Sequence, residues 1–518
     1  MNCDIVIVGG SIGGVLAAKK ACELGKNVVL IESTDWIGGQ FTNQAVPPDE
    51  HPFIEEFGAT RSYLKFRDDV RNYMKQNYPI KNHVISNPKW NPGHATVTRL
   101  SVEPKIYLTI FNDMLKPYMN RNLTVFLGHR VISAKVEQQT IKEIFVKDTS
   151  TEEMKTIAGK VFLDATDTGE LLPLTNTTYS LGRESQEETN EPNAGHTKDI
   201  EDVQPITWVA AVEYCPGESH IIEKPEVYDY FKSQFWPCEK DKPILSFYGP
   251  DSSTGKTKEF IMFDGDKPNK FALWSYRRII DPRDFQDGFI KNEVSLINWP
   301  QNDYIFGNIF DDEKAEHHQH MSKELTKSLI YWLQTEAITK DGSKGYPGLK
   351  LRGDILGTKD GLAQAPYIRE SRRIKSVKTV TEHAMNANII DDMVEIEDSV
   401  GVGAYHIDLH MTTKSNRFFY FKTWPFQIPL SAMIPIEINN LIPACKNIGT
   451  TQLTNGCFRL HPVEWNIGEV AGILASTTLD WKCSLKSMLE KHNLLKFQEI
   501  LDQNGIQRQW PKDKVHVI

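Results

Sequence analysis

The stretch DIVIVGGSIGGVLAAKKACELGKNVVLIE, residues 4–32, decides the fold of this 518-residue chain. Its apolar beginning predicts a buried strand, the middle predicts a helix, and NVVLIE predicts a second buried strand. Gly9, Ser11 and Gly14 occupy the three positions of a G-x-G-x-x-G pattern between the first strand and the helix. This order of strand, turn, helix and strand is the context in which the pattern predicts dinucleotide binding.

Each position of this turn has a physical role in holding a pyrophosphate. Gly9 permits the tight turn, the middle position lets backbone amides approach the phosphates, and Gly14 lets the helix pack close to the strand. The helix N-terminus supplies amides and the positive end of its dipole. Ser11 stands where glycine is usual, and its hydroxyl is expected to donate to a phosphate. We predict that Gly9, Ser11, Ile12, Gly13 and Gly14 bind the cofactor.

The second strand ends at Glu32, where an acid accepts hydrogen bonds from adenosine ribose and disfavours the additional phosphate of NADP. A second glycine pair follows in DWIGGQFTNQAVP, residues 35–47, where a nicotinamide-binding domain would continue directly into a helix. Here the chain resembles the flavoprotein superfamily with two dinucleotide-binding domains. In that superfamily this loop runs along the FAD pyrophosphate toward the flavin, so the resemblance implies FAD as the cofactor.

The resemblance extends over nearly the whole chain. HRV (129–131) resembles the segment whose backbone holds adenine, and DATDTGELL (164–172) resembles the strand end that closes over the ADP half. AQAPYIRESRRI (363–374), EDSVGVGAYHIDLH (397–410) and NLIPACKNIGTTQLTNG (440–456) resemble the bacterial FAD-dependent oxidoreductase family, whose members mostly have no assigned substrate. Further cofactor contacts implied by the resemblance are Glu32, Ser33, Gly38, Gly39, Gln40, Val131, Ala165 and Thr166.

A second motif, NGCFRLHPVEWNIGEVAG (455–472), predicts a glycine-containing loop that runs into a helix. It resembles the last helix of the FAD domain, whose N-terminus faces the pyrimidine edge of the flavin. Pro462 suits the first helical turn because proline has no amide to leave unpaired. The resemblance implies that the backbone of Leu460, His461 and Val463 contacts the flavin, where free amides would stabilise the anionic reduced form.

Two further features of this end of the chain bear on packing and cofactor binding. Gly468, Ala471 and Gly472 would let the last helix approach the first one closely. Many relatives carry an acid before this helix to bind the ribitol, whereas this chain has Cys445 and Lys446 there. The sequence therefore gives no prediction for the ribitol contact.

Candidates for catalysis come from the segments of resemblance. Arg369 and Arg373 would share one strand face, where they would pair with a substrate carboxylate, with reduced flavin, or with nearby acids on an exposed strand. His406 and His410 alternate along a strand, either as bases for the oxidation of an alcohol or amine or as polar residues of an exposed sheet face. His461 is a candidate base, donor or covalent flavin anchor, or contributes only its backbone amide.

Several kinds of chemistry lack support in the sequence. EHHQH (316–320) has metal-ligand residue types, but the dense charge around it favours an exposed helix and no second cluster has zinc spacing, so no metal is predicted. No second G-x-G-x-x-G follows a strand, which argues against a dedicated NAD(P)H domain. The absence of C-x-x-C and G-x-S-x-G motifs argues against disulfide redox chemistry and hydrolysis.

Composition bounds the partners and the compartment. The chain has 59 basic and 68 acidic residues, a formal charge of -9 and no long Lys/Arg run, which argues against nucleic-acid binding. Strand residues begin at once, and no apolar run reaches the roughly 18 residues of a membrane span, so we expect a cytoplasmic protein without a membrane partner. Seven scattered cysteines fit a reducing compartment. The oligomeric state is not predicted.

The predicted fold class is α/β, a Rossmann-like FAD-binding domain of the glutathione-reductase type with an inserted α+β substrate domain. The predicted boundaries are 1–175 for the first part of the FAD domain, with an insertion at about 45–100, 176–430 for the substrate domain, 431–480 for the last part of the FAD domain and 481–518 for a helical tail. The polar interval 183–202 is expected to be an exposed loop or domain joint.

These features predict an FAD-dependent oxidoreductase that dehydrogenates a small polar organic molecule by hydride transfer to flavin N5. The electrons would pass to oxygen or another acceptor. Two alternatives stay open at this point. One is a flavin monooxygenase or reductase that uses diffusible NAD(P)H, and the other is a flavin-binding assembly protein without turnover.

Overall fold

A computed structural model describes residues 1–310 and 313–518. Its helices are α1 (Ile12–Glu23), α2 (Arg61–Asn77), α3 (Asn82–Ile85), α4 (Pro104–Leu115), α5 (Leu171–Leu174), α6 (Gln186–Thr189), α7 (Tyr228–Lys232), α8 (Ala315–Thr335), α9 (Gly353–Leu356), α10 (Gln452–Phe458), α11 (His461–Trp481) and α12 (Lys491–Gln503). Its strands are β1 (Ile5–Val8), β2 (Val28–Ile31), β3 (Leu123–Phe126), β4 (His129–Glu137), β5 (Thr140–Asp148), β6 (Met154–Ala158), β7 (Val161–Asp164), β8 (Tyr179–Ser180), β9 (Ile206–Thr207), β10 (Ala210–Tyr214), β11 (Phe235–Trp236), β12 (Glu239–Pro243), β13 (Tyr248–Asp251), β14 (Lys256–Glu259), β15 (Arg278–Ile280), β16 (Val294–Ile297), β17 (Asp303–Tyr304), β18 (Leu349–Leu351), β19 (Arg373–Ile374), β20 (Ser399–Gly403), β21 (Ile407–Leu409), β22 (Phe419–Phe421), β23 (Phe426–Pro429) and β24 (Leu441–Pro443).

The central sheet is parallel and has the order β24-β7-β1-β2-β3. Ile5 and Ile7 of β1 belong to an apolar cluster with α1 and α11, whereas Val6 and Val8 belong to a cluster with β4 and β5. Because side chains alternate along a strand, both faces of β1 are covered, which is why its sequence is continuously apolar. β24, from near the end of the chain, completes the sheet beside β7.

The N-terminal parts of α1 and α11 lie in direct backbone contact. A Cβ at Gly468 would lie 2.4 Å from the carbonyl oxygen of Gly13, and one at Gly472 would lie 2.4 Å from that of Ala17. Glycine at these two positions therefore sets the separation of the helices, as the sequence predicted. This contact brings the first turn of α11 beside the turn between β1 and α1.

Two local predictions differ from the structure. The alternation of apolar and polar residues in 122–148 predicts antiparallel strands, but β3 is parallel to β2, because the chain returns through α4 and enters the central sheet. Within this stretch, β4 and β5 form the antiparallel pair. Residues 452–458 form α10 instead of a loop, because Thr451 and Thr454 make a reciprocal cap at its start. Gly456 lies inside this helix, where a Cβ would come within 2.7 Å of the Asp408 carbonyl oxygen.

The polar interval 183–202 differs from its prediction in part, because Glu184, Glu191 and Asp202 are buried although Glu187, Glu188 and Glu201 are exposed. Glu191 accepts a hydrogen bond from Thr451 Oγ1 at 2.8 Å, and Glu184 accepts one from the Gln452 amide at 2.9 Å. Both carboxylates therefore hold the start of α10, where amides lack partners within the helix.

A second apolar cluster joins the antiparallel sheet β15-β16-β10-β18 to α8. Nowhere in 1–310 or 313–518 does a helix have the length and apolar character needed to cross a bilayer. The seven cysteines are all free. The domain boundaries given above stay a prediction.

Candidate functional site

A cavity of about 550 Å³ opens at the carboxyl ends of β1, β2 and β7. Ligands of open α/β sheets bind at this edge, because helix N-termini and loops converge there. Seven of the predicted cofactor contacts line the cavity, namely Gly9, Ser11, Glu32, Ser33, Val131, Ala165 and Thr166. The adenosine and phosphate segments recognised in the sequence thus meet around one space.

The turn between β1 and α1 is shaped by small residues. Gly9 has a φ of 97°, and a Cβ there would lie 2.3 Å from the Ala165 carbonyl oxygen. Ser11 caps α1, since its Oγ accepts from the Gly14 amide at 3.3 Å. The Ser11 hydroxyl proton remains able to donate into the cavity, as expected for a residue facing a phosphate.

Glu32 lies at the end of β2 with both carboxylate oxygens engaged. Oε2 accepts from the Gly10 amide at 2.7 Å, and Oε1 accepts from the Thr34 amide and hydroxyl at 2.8 Å each. Burial raises the pKa of Glu32, and the bonds from Thr34 and Gly10 oppose that rise. A carboxylate oxygen can accept two hydrogen bonds, so Oε2, which accepts one, retains capacity for a ribose hydroxyl.

Four residues that line the cavity carry a buried polar atom without a hydrogen-bond partner. The atoms are Asn43 Oδ1, Gln44 Oε1, His129 Nε2 and Arg372 Nε. Leaving such an atom unpaired costs about 1–3 kcal/mol, so their grouping indicates a polar ligand. The cavity, its glycine turn and its polar lining therefore fit FAD.

The other predicted cofactor contacts do not line this cavity. They are Ile12, Gly13, Gly14, Gly38, Gly39, Gln40, Leu460, His461 and Val463. Gln40 Nε2 donates to Glu464 Oε2 at 2.6 Å and to the Arg459 carbonyl at 2.9 Å, and the Gly13 amide lies 3.4 Å from Glu464 Oε1. Sequence reasoning missed Glu464, which joins the loop 35–47 and the first turn of α1 to the start of α11.

Lys446 is one of the two residues that stand where many relatives carry an acid before the last helix. Its side chain is fully buried, pairs with Asp167 and lies 3.9 Å from Glu464. Burial opposes the charge, but Asp167 outweighs it and holds the pKa of Lys446 above its usual range. Gln44 Nε2 also donates to Asp167 at 2.7 Å. Ligand-type atoms of Asp167, Cys445 and Glu464 lie within 4.8 Å of one another, and the Lys446 ammonium supplies the positive charge there.

His461 is fully buried, and both ring nitrogens have partners. Nδ1 accepts from the Asp49 amide at 3.1 Å, and Nε2 donates to the Val46 carbonyl at 3.2 Å. Burial lowers the pKa of His461 to about 4, so the ring is neutral. His461 holds residues 46–49 against the start of α11, and its roles as base or flavin anchor stay predictions.

His410 lies between two carboxylates. Nδ1 donates to Asp303 Oδ2 at 2.7 Å, and Nε2 lies 3.4 Å from Asp408 Oδ2, which also accepts from Arg459 at 2.8 Å. Burial and Arg369 oppose protonation, but Asp408 and Asp303 outweigh them and raise the pKa of His410. Sequence reasoning missed Asp303, which lies in a segment without a motif. It also missed Arg459, which lies within the 455–472 motif but was assigned no role there.

The two predicted arginines do not share a face, because only Arg373 belongs to a strand. Arg369 donates to Thr207 Oγ1 at 2.7 Å and lies 2.9 Å from Asp303, so it holds the partner of His410. Arg373 is fully buried and pairs with Glu184 at 2.9 Å in the network that holds α10. The structure thus brings Arg369 to the His410 cluster and places Arg373 in a separate one.

The alternation predicted around β21 is correct, since residues 406, 408 and 410 are more exposed than 407 and 409. The ring of His406 packs against Tyr420 with centroids 4.2 Å apart, and its Nδ1 lacks a partner. Burial lowers the pKa of His406. His406 therefore sits near the cluster as a neutral ring.

One short segment connects the cavity with the His410 cluster. Ala365, Pro366 and Ile368 line the cavity. Tyr367, between Pro366 and Ile368, accepts a hydrogen bond from Arg459 through its hydroxyl oxygen. Arg369, the next residue after Ile368, pairs with Asp303. The cavity and the His410 cluster therefore lie on opposite sides of residues 365–369.

Comparison with known proteins gives one extensive match. The model of a family described as FAD dependent oxidoreductase matches residues 4–501. No curated protein matches the chain.

Solved structures with partial similarity include a glycerol-3-phosphate dehydrogenase from Bacillus halodurans complexed with FAD (14% identity, TM-score 0.23, 41% of this chain and 40% of that chain). Others are L-proline dehydrogenase from P. horikoshii (13%, 0.18, 32% and 22%) and p-nitrophenol 4-monooxygenase PnpA from Pseudomonas putida DLL-E4 (14%, 0.25, 41% and 48%). The present chain spans less than half the length of each.

Proposed function

This chain belongs to the FAD dependent oxidoreductase family, and on that premise we propose that it dehydrogenates a small polar organic molecule. FAD is its cofactor and, when bound, supplies the acceptor for two electrons. One observation carries the proposal. Gln40, in the predicted flavin loop, donates to the carbonyl of Arg459, whose guanidinium holds Asp408 beside His410. A charged pair suited to proton transfer thus adjoins the proposed flavin site.

We assign Asp408 and His410 the role of accepting the proton that leaves the substrate hydroxyl or amine. Asp303 fixes the ring of His410 through Nδ1 and leaves Nε2 directed toward Asp408. Burial opposes ionisation of Asp303, but Arg369 and His410 outweigh it and lower the pKa of its carboxyl. Asp303 and Arg369 are therefore positioning residues, and a general base with a pKa near neutrality is what such an oxidation requires.

Different groups of residues are proposed to hold the successive parts of FAD. The turn at residues 9–14 would hold the pyrophosphate, Glu32 and Val131 the adenosine, and Lys446 with Asp167 the region between phosphate and flavin. The proposed FAD domain comprises 1–175 and 431–480. The proposed substrate domain, 176–430, would then supply Asp303, Asp408 and His410.

Anaerobic bleaching of the bound flavin tests this function. Purified holoprotein is mixed with alcohols, amines, hydroxy acids and amino acids, and separately with NADH. At least one organic compound should bleach the wild type, and His410→Asn and Asp408→Asn should slow that bleaching by about 10²–10⁴-fold. The control His317→Gln, on the exposed side of α8, should leave the rate unchanged. Bleaching by NADH alone would instead indicate a reductase or monooxygenase.

A further inference from the structure

Arg277 is a buried guanidinium with poor internal partners. Its side chain is 6% exposed. Nη1 lies 3.4 Å from the Pro47 carbonyl, Nη2 lies 3.4 Å from Asp49 Oδ1, and Nε has no partner. These contacts are at the long limit of a hydrogen bond. Arg369, by comparison, donates to Thr207 and to the Pro205 carbonyl at 2.7 and 2.9 Å.

A buried charge needs strong partners, because leaving water costs several kcal/mol per ion. Burial disfavours the charge of Arg277, but Asp49 outweighs it and holds the pKa above its usual range. The guanidinium is therefore charged, with five donors and no short hydrogen bond to a described residue. Arg277 has the donors that a planar anion would satisfy.

The surroundings of Arg277 link it to the proposed proton acceptors. The guanidinium lies over the ring of Tyr276, 4.9 Å from its centroid. Asp49, which faces the guanidinium, donates a hydrogen bond from its backbone amide to His461 Nδ1 at 3.1 Å. Arg459, two residues before His461, lies 2.8 Å from Asp408. Arg277 and the proposed proton acceptors are thus joined through residues 459–461.

We propose that the substrate is a small carboxylic acid whose carboxylate binds Arg277, with its oxidisable group directed toward Asp408 and His410. This inference rests on the proposed function for the roles of Asp408 and His410. An arginine fork matches the two oxygens of a carboxylate, and Tyr276 holds the fork in plane. Asp49 Oδ1, 3.4 Å from Nη2, keeps the guanidinium oriented without making a short hydrogen bond to it.

The test uses the absorbance of the bound FAD and needs no turnover. Holoprotein is titrated anaerobically with acetate, glycolate and benzoate, and in parallel with acetamide, glycolamide and benzamide. At least one acid should perturb the flavin spectrum saturably, and its amide should bind at least tenfold more weakly. Arg277→Gln should raise the dissociation constant of that acid at least tenfold, and Arg277→Lys should raise it less. Arg121→Gln, at an exposed arginine, should leave it unchanged.

Three results would overturn the proposal. The first is equal binding of acids and amides by the wild type, which needs no variant. The second is an unchanged dissociation constant in Arg277→Gln. The third is a variant that shifts the flavin spectrum without ligand but keeps acid binding, since Arg277 would then serve the flavin. Acid binding without flavin bleaching by any compound would leave the carboxylate site standing and reject the dehydrogenase function.

Discussion

The two places where helix starts meet the proposed cofactor are built differently. The start of α1 is built mainly from backbone groups. Gly9 shapes the turn before it, Ser11 caps it, and both residues line the cavity. The start of α11 is a side-chain structure, where Glu464 occupies the first turn beside Lys446. The first arrangement suits any phosphate, whereas the second depends on pairs of charges particular to this chain.

The difference also concerns the flavin contact predicted from the sequence. We expected free amides at the start of α11 to stabilise negative charge on reduced flavin. The structure shows that Glu464 already places a carboxyl group there, and burial raises its pKa while Lys446 opposes the rise. The positive field at this helix start therefore depends on the charge states of Glu464 and Lys446, in contrast to that at the start of α1.

The largest effect is expected from a substitution in the glycine turn before α1. Gly9→Ala should abolish FAD retention, because the new Cβ would lie 2.3 Å from the Ala165 carbonyl oxygen. The control Gly25→Ala has a similar positive φ of 77° but open space around it, so it should cost only about 1 kcal/mol of stability. The FAD-to-protein ratio and thermal unfolding of both variants test this, and equal FAD retention would contradict it.

Lys446→Met addresses the side-chain region. Removing the ammonium leaves Asp167 as a largely buried charge without its partner, so the free energy of unfolding should fall by about 3–5 kcal/mol. Lys26→Met breaks a pair with Asp480, whose side chain is 59% exposed, and should cost less than about 1 kcal/mol. Urea unfolding measures both. A similar small loss in the two variants would show that the Lys446 pair is not structural.

Glu32→Ala returns to the adenosine end and should have a smaller effect. The loss of a hydrogen bond to a charged group should weaken FAD binding by about 1–3 kcal/mol. Glu23→Ala, at the far end of α1, serves as the control because Glu23 does not line the cavity and its carboxylate contacts Lys19, Lys20 and Tyr118. FAD occupancy after dialysis distinguishes the variants. Undiminished occupancy in Glu32→Ala would count against the assignment of the ribose contact.

The smallest expected effect is a displacement in pH. His410 accepts a proton only when neutral, and Asp408 with Asp303 raises its pKa, so substrate oxidation should increase as pH rises through a pKa above 6.5. Asp303→Asn removes one of the two negative charges that raise the pKa of His410 and should move this acid limb to lower pH. Glu218→Gln, at the half-exposed His220–Glu218 pair, should not move it. An unmoved limb in Asp303→Asn would remove His410 from the proton path.

The sign for stability follows from the same shift. A histidine whose folded pKa is raised stabilises the fold below its unfolded pKa and loses that contribution as pH rises through the folded pKa. The wild type should therefore lose stability relative to His410→Asn as pH rises through the raised pKa of His410. Thermal unfolding across that pH range measures the difference.

The sequence by itself determined the features that local patterns encode. The apolar runs of β1 and β2, the glycine turn at residues 9–14 and the pattern of small residues in α11 sufficed to predict the sheet, the first turn and the contact between α1 and α11. These predictions succeeded because strand alternation and glycine sterics act within a few residues, so their signal is visible in a short window.

Only the tertiary structure decided which charges meet. The bonds of His410 to Asp303, of Lys446 to Asp167, and of Glu191 to Thr451 join residues more than 100 positions apart. A charged residue has no periodic signature, and its partner is fixed by the packing of distant segments. For the same physical reason the sequence predicts an exposed loop at 183–202, although folding buries Glu184 and Glu191 against the start of α10.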